Sequence, residues 1–89
     1  MAKGYCFRCR KWRDLEEHHI FGGPFRDKST KYKLTVYLCW ECHRTGPEAV
    51  HRCRKTREQL QEYGQRKAMR EQGWSIADFI REFGKNHIP

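Results

Sequence analysis

The chain has 89 residues, of which 37% are hydrophobic and 34% charged, and its formal net charge is +8. One small domain is the expected organisation (residues 1–89), and its thin core needs a metal or disulfides. No segment approaches the roughly 20 apolar residues of a membrane span, and the basic start MAKGYCFRCRKWR is unlike a signal peptide. We therefore expect a cytoplasmic protein with no membrane partner, whose cysteines stay reduced.

Basic residues are spread along the whole chain, with 19 Lys and Arg against 11 Asp and Glu. A surface of this sign attracts polyanions, of which nucleic acid is the commonest. The segment HRCRKTR is expected on a helix, and its side chains are candidate phosphate contacts: Arg52, Arg54, Lys55 and Arg57. A merely solvated basic face is the alternative interpretation.

The first half of the chain predicts two strands joined by a loop. The segment LEEHHIF (15–21) mixes apolar and polar residues, and YKLTVYLCW (32–40) is rich in β-branched and aromatic residues. Between them, GGPFRDKSTK (22–31) opens with turn-forming residues and is expected to be a loop.

The second half predicts helices. One is expected from Glu48, just after Pro47, to about Gln72, with Gly73 as its stop signal. Two shorter helices are the alternative, because Gly64 weakens the middle.

A last helix carries clearer signals. Ser75 and Asp78 form a capping-box pattern at its start, and Gly84 ends it. Its apolar stripe is expected to pack on the core and consists of Ile76, Phe79, Ile80 and Phe83.

Two C-x-x-C pairs, Cys6/Cys9 and Cys39/Cys42, have the composition of a closed structural zinc site. The 29 residues between them exceed the usual zinc-finger spacer, but a hairpin would return the chain and bring the pairs together. Zinc there can contribute on the order of 10 kcal/mol to folding. The remaining Cys53 is expected to be a small buried helix residue.

Four histidines fall where the predicted hairpin and helix start meet: His18, His19, His43 and His51. They could line one cleft, with His51 one turn into the helix, or one or two could complete the structural zinc. Neighbouring residues of a strand face opposite sides, so His18 and His19 are expected to have different roles. The fifth, His87, is expected to be incidental.

The order of these motifs carries a family resemblance. A C-x-x-C pair, then EEHHI before a GG loop, then LCWECH and a further histidine resembles the HNH nucleases of the ββα-metal (His-Me finger) superfamily. It is most similar to the small form with a four-cysteine zinc site that is common among phage and prophage proteins. The resemblance covers about residues 5–55 and implies an α+β fold, in which this zinc-stapled core is followed by a helical C-terminal extension (56–89).

The resemblance also implies roles by position. His19 would be the general base that deprotonates the attacking water, while His18, His43 and His51 would hold a catalytic divalent ion (Mg²⁺, Mn²⁺, Ni²⁺ or Zn²⁺). The four cysteines would hold a separate structural Zn²⁺. The base must stay off the ion, because a ligated imidazole has lost its lone pair. Two adjacent histidines facing apart would satisfy both requirements.

Two features depart from the family pattern. The spacer between His43 and His51 is longer than usual, and the Asn that orients the base is missing from residues 24–38. A backbone carbonyl or another side chain (Ser29 or Thr35) could substitute for it. Glu16 and Glu17 could support a metal-bound imidazole, although a solvated strand start is preferred for Glu16.

The resulting hypothesis is an endonuclease, a hydrolase that nicks DNA with weak sequence preference. It would act in a bacterial cytoplasm, encoded by host or phage, and phage packaging or recombination proteins are conceivable partners. The alternative is a non-catalytic protein, either a zinc-stapled DNA-binding module or a decayed HNH protein, which would bind DNA without cutting it.

Overall fold

The computed structural model describes residues 2–89, which form an antiparallel sheet and a set of helices. The strands are β1 (Ala2–Tyr5), β2 (Trp12–His19) and β3 (Thr35–Cys39), in the spatial order β1-β2-β3. The helices are α1 (Arg26–Lys31), α2 (Arg54–Gln72) and α3 (Ile76–Phe83), with a 3₁₀ turn at Gly23–Phe25 and a π-helical turn at Glu41–Thr45. The small α+β class expected from the sequence is confirmed.

The central strand β2 pairs with a different neighbour along each half. Its first half pairs with β1, from Tyr5 opposite Trp12 to Ala2 opposite Leu15, and its second half pairs with β3. The expected hairpin is therefore part of a three-stranded sheet. The chain after β1 also crosses to β3, where the Phe7 amide donates to the Tyr37 carbonyl at 2.9 Å. This crossing brings the two C-x-x-C pairs to the same end of the sheet.

The segment 22–31 is more ordered than the expected loop, because it contains the 3₁₀ turn and α1. The cause is Ser29, which is fully buried. Its hydroxyl donates to the Phe21 carbonyl at 2.7 Å and accepts from the Phe21 amide at 3.1 Å. The Leu34 amide then donates to the Ser29 carbonyl at 2.7 Å, so the segment is tied to the core at both ends.

The long helix begins at Arg54, six residues later than Glu48. Residues 46–53 instead fold back on the π-helical turn. The Val50 amide donates to the Cys42 carbonyl at 3.0 Å, and the His51 amide donates to the His43 carbonyl at 3.2 Å. These bonds need a reversed chain direction that a helix starting at Glu48 cannot provide.

From Arg54 the helix is continuous to Gln72, and Gly73 closes it at φ 69°, as expected. The alternative of two shorter helices is wrong, because α2 continues through Gly64. The glycine has a packing role instead. A Cβ atom at Gly64 would lie 2.8 Å from Ile20 Cγ2 and 3.1 Å from Phe21 Cε2. The glycine therefore lets α2 approach the end of β2 closely.

In α3 the capping box is confirmed, with Ser75–Asp78 bonds of 3.0 and 3.1 Å, and Gly84 ends the helix. Phe79 and Phe83 are buried, but Ile76 and Ile80 are 43% and 38% exposed. Only half of the expected stripe therefore packs on the core.

One hydrophobic cluster joins residues from the sheet, such as Leu15 and Leu38, with Leu60, Phe79 and Phe83 from the C-terminal helices. The boundary expected at residues 55/56 falls in the first turn of α2. Among residues 2–89, none of the helices combines the length and the apolar composition that a membrane crossing requires.

Candidate metal centres

The two C-x-x-C pairs meet at one end of the sheet. The Sγ atoms of Cys6, Cys9, Cys39 and Cys42 all lie within 4.8 Å of one another, and Cys9 and Cys39 are 3.8 Å apart. Zinc–sulfur bonds of about 2.3 Å in a tetrahedron give sulfur–sulfur distances of roughly 3.8 Å. The four cysteines can therefore hold a metal such as zinc.

The electrostatics of this cluster favour a cation. Burial raises the pKa of Cys6, but backbone N–H groups of Cys39, Cys9 and Arg8 outweigh it and lower that pKa to about 6. Burial raises the pKa of Cys42 above its ordinary value, and contact with the other sulfurs adds to the rise. Cys42 therefore stays protonated unless a cation offsets the negative charge of the neighbouring sulfurs, as a bound metal ion would.

Cys53 takes no part in the four-cysteine cluster. It is half-buried and is the N-cap residue of α2, outside the helix interior where it was expected. The later helix start explains this difference.

A second cluster consists of three imidazoles from three different elements. Ring nitrogens of His18 on β2, His43 in the π-helical turn and His51 before α2 lie within 4.8 Å of one another. His18 Nδ1 is 3.3 Å and His51 Nε2 is 3.0 Å from His43 Nε2. Metal–nitrogen bonds of about 2.0–2.1 Å place neighbouring nitrogens roughly 2.9–3.4 Å apart. The spacing of this second donor set therefore suits a transition-metal ion.

The fold-back of residues 46–53 makes this convergence possible. His51 was expected one turn into the helix, but it lies in a turn before α2. The backbone bond from its amide to the His43 carbonyl sets the two rings side by side, with centroids 4.6 Å apart. The longer spacer between His43 and His51 thus lets the chain reverse its direction and place the His51 ring beside the His43 ring.

Glu16 fixes the orientation of the central imidazole. Its Oε1 lies 2.6 Å from His43 Nδ1, and this hydrogen bond is the main cause of the lowered pKa of Glu16. Donation from Nδ1–H to the carboxylate leaves the lone pair on His43 Nε2, facing His18 and His51. The solvated strand start expected for Glu16 is wrong, because its side chain is only 27% exposed.

Lowered pKa values keep two of the three imidazoles neutral, which favours binding of a cation. Burial, followed by repulsion from His43 and His51, lowers the pKa of His18 to about 4. Burial also lowers the pKa of His51. Both rings are therefore neutral near pH 7 and offer lone pairs. His18 and His43 are 9% and 3% exposed, while the exposed His51 lies at the solvent side.

His19 lies apart from the three-imidazole cluster, so the single cleft expected for four histidines contains three. Strand alternation turns its ring away from His18. Its Nε2 is 3.1 Å from Thr30 Oγ1 and 4.0 Å from Glu17 Oε1. The partner of His19 is therefore Thr30. Ser29, one of the two side chains that could substitute for the Asn, uses its hydroxyl on the Phe21 backbone.

The four basic candidates differ in their surroundings. Arg52 precedes α2 and donates to the Thr45 carbonyl at 2.8 Å, while Arg57 donates to the Val50 carbonyl at 3.2 Å. Arg54 pairs with Glu58 at 2.6 Å, and Lys55 is exposed. Arg52 and Arg57 therefore brace the turn that carries His51, a role that the sequence did not reveal.

His87 has a structural role. Its backbone amide donates to the buried Gln65 Oε1 at 2.6 Å, and its ring centroid is 5.2 Å from that of Phe21. It thus fastens the C-terminal segment to the core.

Comparisons of the chain with protein-family models, with curated proteins and with solved structures found no match. The interpretation of both clusters therefore depends on their own geometry and chemistry.

Proposed function

We propose that the chain is a divalent-metal-dependent endonuclease of the HNH type that hydrolyses phosphodiester bonds in DNA. The observation that carries the proposal is the convergence of His18, His43 and His51. His19 directly follows His18 on β2. Packing alone does not require three imidazoles from three different elements to bring their ring nitrogens to one position. The separate four-cysteine cluster supports the same family, because it leaves the histidines free for a different ion.

The fold supports this assignment. β2 and β3 form an antiparallel pair, and β3 leads directly into the π-helical turn that carries His43. We interpret this arrangement as a ββα-metal core whose helical part is reduced to one wide turn. α2 and α3 then form the helical extension.

An ion held by the three imidazoles would neutralise charge on the phosphate and on the leaving oxygen. His18 and His51 act as neutral donors, while Glu16 holds His43 in the tautomer that donates from Nε2. With such an ion bound, the three imidazoles would hold a positive charge next to β2, where one phosphate could bind.

The remaining task, proton removal from water, falls to His19. Its Nε2 is occupied by Thr30, so Nδ1 is the nitrogen available to accept the proton. The water oxygen forms a bond to phosphorus, the bond from phosphorus to the leaving oxygen breaks, and solvent protonates that oxygen. In this scheme Thr30 orients the base, as the family's Asn does.

The substrate class follows from charge. A net charge of +8 favours a polyanion, and phosphate contacts carry no sequence information. We therefore propose weak sequence preference and DNA affinity that falls steeply with salt. A single set of three imidazoles per chain is consistent with nicking of one strand.

A second candidate is a non-catalytic DNA-binding protein that keeps both metal sites. The observation that favours it is the orientation of His19, which strand alternation directs away from His18. If water at the ion is out of reach of His19, the protein would bind ions and DNA without hydrolysis.

Plasmid nicking with a panel of divalent ions distinguishes the two candidates. We expect metal-dependent nicking by the wild type and a loss of about 10²- to 10⁴-fold in His19→Ala, with zinc content, DNA affinity and ion binding retained. His18→Ala should lose ion affinity as well as nicking. His87→Ala, which alters a histidine outside the site, is the matched control.

Absence of nicking by zinc-loaded wild type with every ion would favour the second candidate. Loss of ion binding in His19→Ala but not in His18→Ala would reverse the two roles.

A further inference from the structure

Two exposed aromatic rings lie on the sheet face that carries the three-imidazole cluster. Tyr5 and Trp12 are opposite each other on β1 and β2, 67% and 61% exposed, with centroids 5.0 Å apart and planes at 78°. We call this pair the aromatic platform. Large aromatic side chains at this exposure leave apolar surface in water, and such surfaces mark binding sites.

Strand alternation connects the platform to the site. Trp12, Glu16 and His18 are separated by even numbers of residues on β2 and therefore face the same side. Six residue steps from Trp12 to His18 span about 20 Å at 3.3–3.4 Å per residue. A strand bound at the three imidazoles could therefore reach the platform along β2.

A third exposed aromatic, Trp40, is connected to the site through Arg44. Trp40 is 55% exposed, and the Arg44 guanidinium lies 5.7 Å from its ring centroid. Arg44 also contacts Glu16, with Nε 3.5 Å from Oε1, and Trp40 lines a shallow cavity with Asp14. An exposed aromatic ring and a guanidinium group thus adjoin the carboxylate that orients His43.

The charges beside the platform select an anionic occupant. Lys3 pairs with Asp14 at 3.8 Å. Arg10 and Lys11, which directly precede Trp12, are exposed and form no ion pair with any acidic residue of the described chain. The Arg10 guanidinium lies 5.4 Å from the Phe7 ring centroid, and neither cation is neutralised by a carboxylate. Two such cations next to two stacking surfaces suit a polyanion that also offers flat rings.

We propose that the aromatic platform stacks against unpaired bases of a nucleic acid strand, so that the preferred substrate has a single-stranded segment within about six nucleotides of the scissile bond. Bases in a duplex have their faces covered by their neighbours, whereas unpaired bases stack on exposed aromatic side chains. This inference rests on the proposed function, which it refines by naming the substrate class.

The test is a binding measurement that needs no cleavage. Zinc-loaded His19→Ala protein is titrated into a labelled twelve-nucleotide thymidine strand and into a labelled twelve-base-pair duplex. Adding Trp12→Ala should weaken binding to the single strand about 5- to 100-fold and binding to the duplex less than twofold. Tyr5→Ala should act in the same direction.

Trp12→Phe, which keeps a stacking ring, should restore most of the lost affinity. Tyr37→Ala is the matched control, because Tyr37 is 47% exposed on β3 but faces the opposite side of the sheet. Its single-strand affinity should equal that of the parent. Circular dichroism and zinc content of each variant confirm that the fold is intact.

Equal losses on single strand and duplex, or unchanged single-strand binding in both Trp12→Ala and Tyr5→Ala, would overturn the inference. The inference would also be overturned if the wild type is a dimer and Trp12→Ala is a monomer with unchanged oligonucleotide affinity, because the platform would then be a dimer interface. If the wild type binds neither nucleic acid, the proposed function fails as well. If the wild type binds and nicks DNA but substitutions in the aromatic platform change neither, only this inference is contradicted and the proposed function stands.

Discussion

The carboxylate of Glu16 accepts a hydrogen bond from His43 Nδ1 at 2.6 Å, so the central strand determines which nitrogen of His43 faces the other two imidazoles. Glu16 precedes His18 by two residues and lies on the same side of β2. One strand thus provides both a donor to the site and the group that orients another donor.

This relationship predicts that Glu16→Gln weakens divalent-ion binding at the three-imidazole cluster. Without the carboxylate, His43 is no longer held in the tautomer that carries its proton on Nδ1. Loss of a group that hydrogen-bonds to a metal ligand typically lowers metal affinity by about 10- to 100-fold. Isothermal titration of zinc-loaded protein with Mn²⁺ or Ni²⁺ measures the change. Glu17→Gln is the control, since Glu17 approaches His19 instead and should leave ion affinity unchanged.

Thr30 provides a second prediction, which separates orientation of the base from ion binding. Thr30→Val removes the hydroxyl 3.1 Å from His19 Nε2 at nearly constant shape and should slow nicking by roughly 10- to 100-fold. Thr30→Ser keeps a hydroxyl and should retain activity. Ion affinity should be the same in both variants. A Thr30→Val enzyme as active as the wild type would show that His19 needs no such support.

The four-cysteine cluster predicts about one tightly bound zinc per chain that survives mild EDTA treatment. Cys39→Ser should lose zinc and unfold, because a thin core depends on the staple. Cys53→Ser is a matched control, since Cys53 lies outside the cluster and serine is a favourable N-cap residue. Metal analysis and thermal unfolding measure both effects. A folded, zinc-free wild type would contradict the prediction.

Gly64 leads to a prediction about packing. Alanine usually stabilises a helix interior relative to glycine by about 0.5–1 kcal/mol. Here its Cβ would lie 2.8 Å from Ile20 Cγ2, and overpacking of this kind costs about 1–3 kcal/mol. We therefore expect Gly64→Ala to lower the free energy of unfolding measured in urea. A gain in stability would show that α2 can shift away from Ile20 without loss.

Features coded by nearby residues could be predicted from the sequence. The C-x-x-C pairs, the capping box at Ser75 and the stop at Gly73 each depend on residues within one turn, and all three agree with the structure. His18, His43 and His51 were chosen by resemblance, and the structure brings the three together.

Features that depend on contacts between distant segments could not be predicted. The start of α2 moves to Arg54 because residues 46–53 bond to the π-helical turn, and no local signal marks that fold-back. From its own segment Gly64 indicates a weak helix. Its packing role depends on Ile20, which is distant in sequence. The role of Glu16 also depends on a distant contact, since its partner His43 is 27 residues away.

The last prediction concerns pH and His87, which is remote from both metal clusters. Burial among aromatic rings, and to a lesser degree Lys85, lowers the pKa of His87 below its ordinary value of 6.5. The unfolded chain therefore binds more protons than the folded chain as the pH falls below about 6.5, so the folded state loses stability in that range. Replacing the imidazole in His87→Leu removes this contribution while the backbone bond to Gln65 remains. Urea unfolding of zinc-loaded protein at pH 7.5 and 5.5 should show a smaller drop in the variant than in the wild type. Identical drops would mean that the ring of His87 takes up its proton without leaving the core.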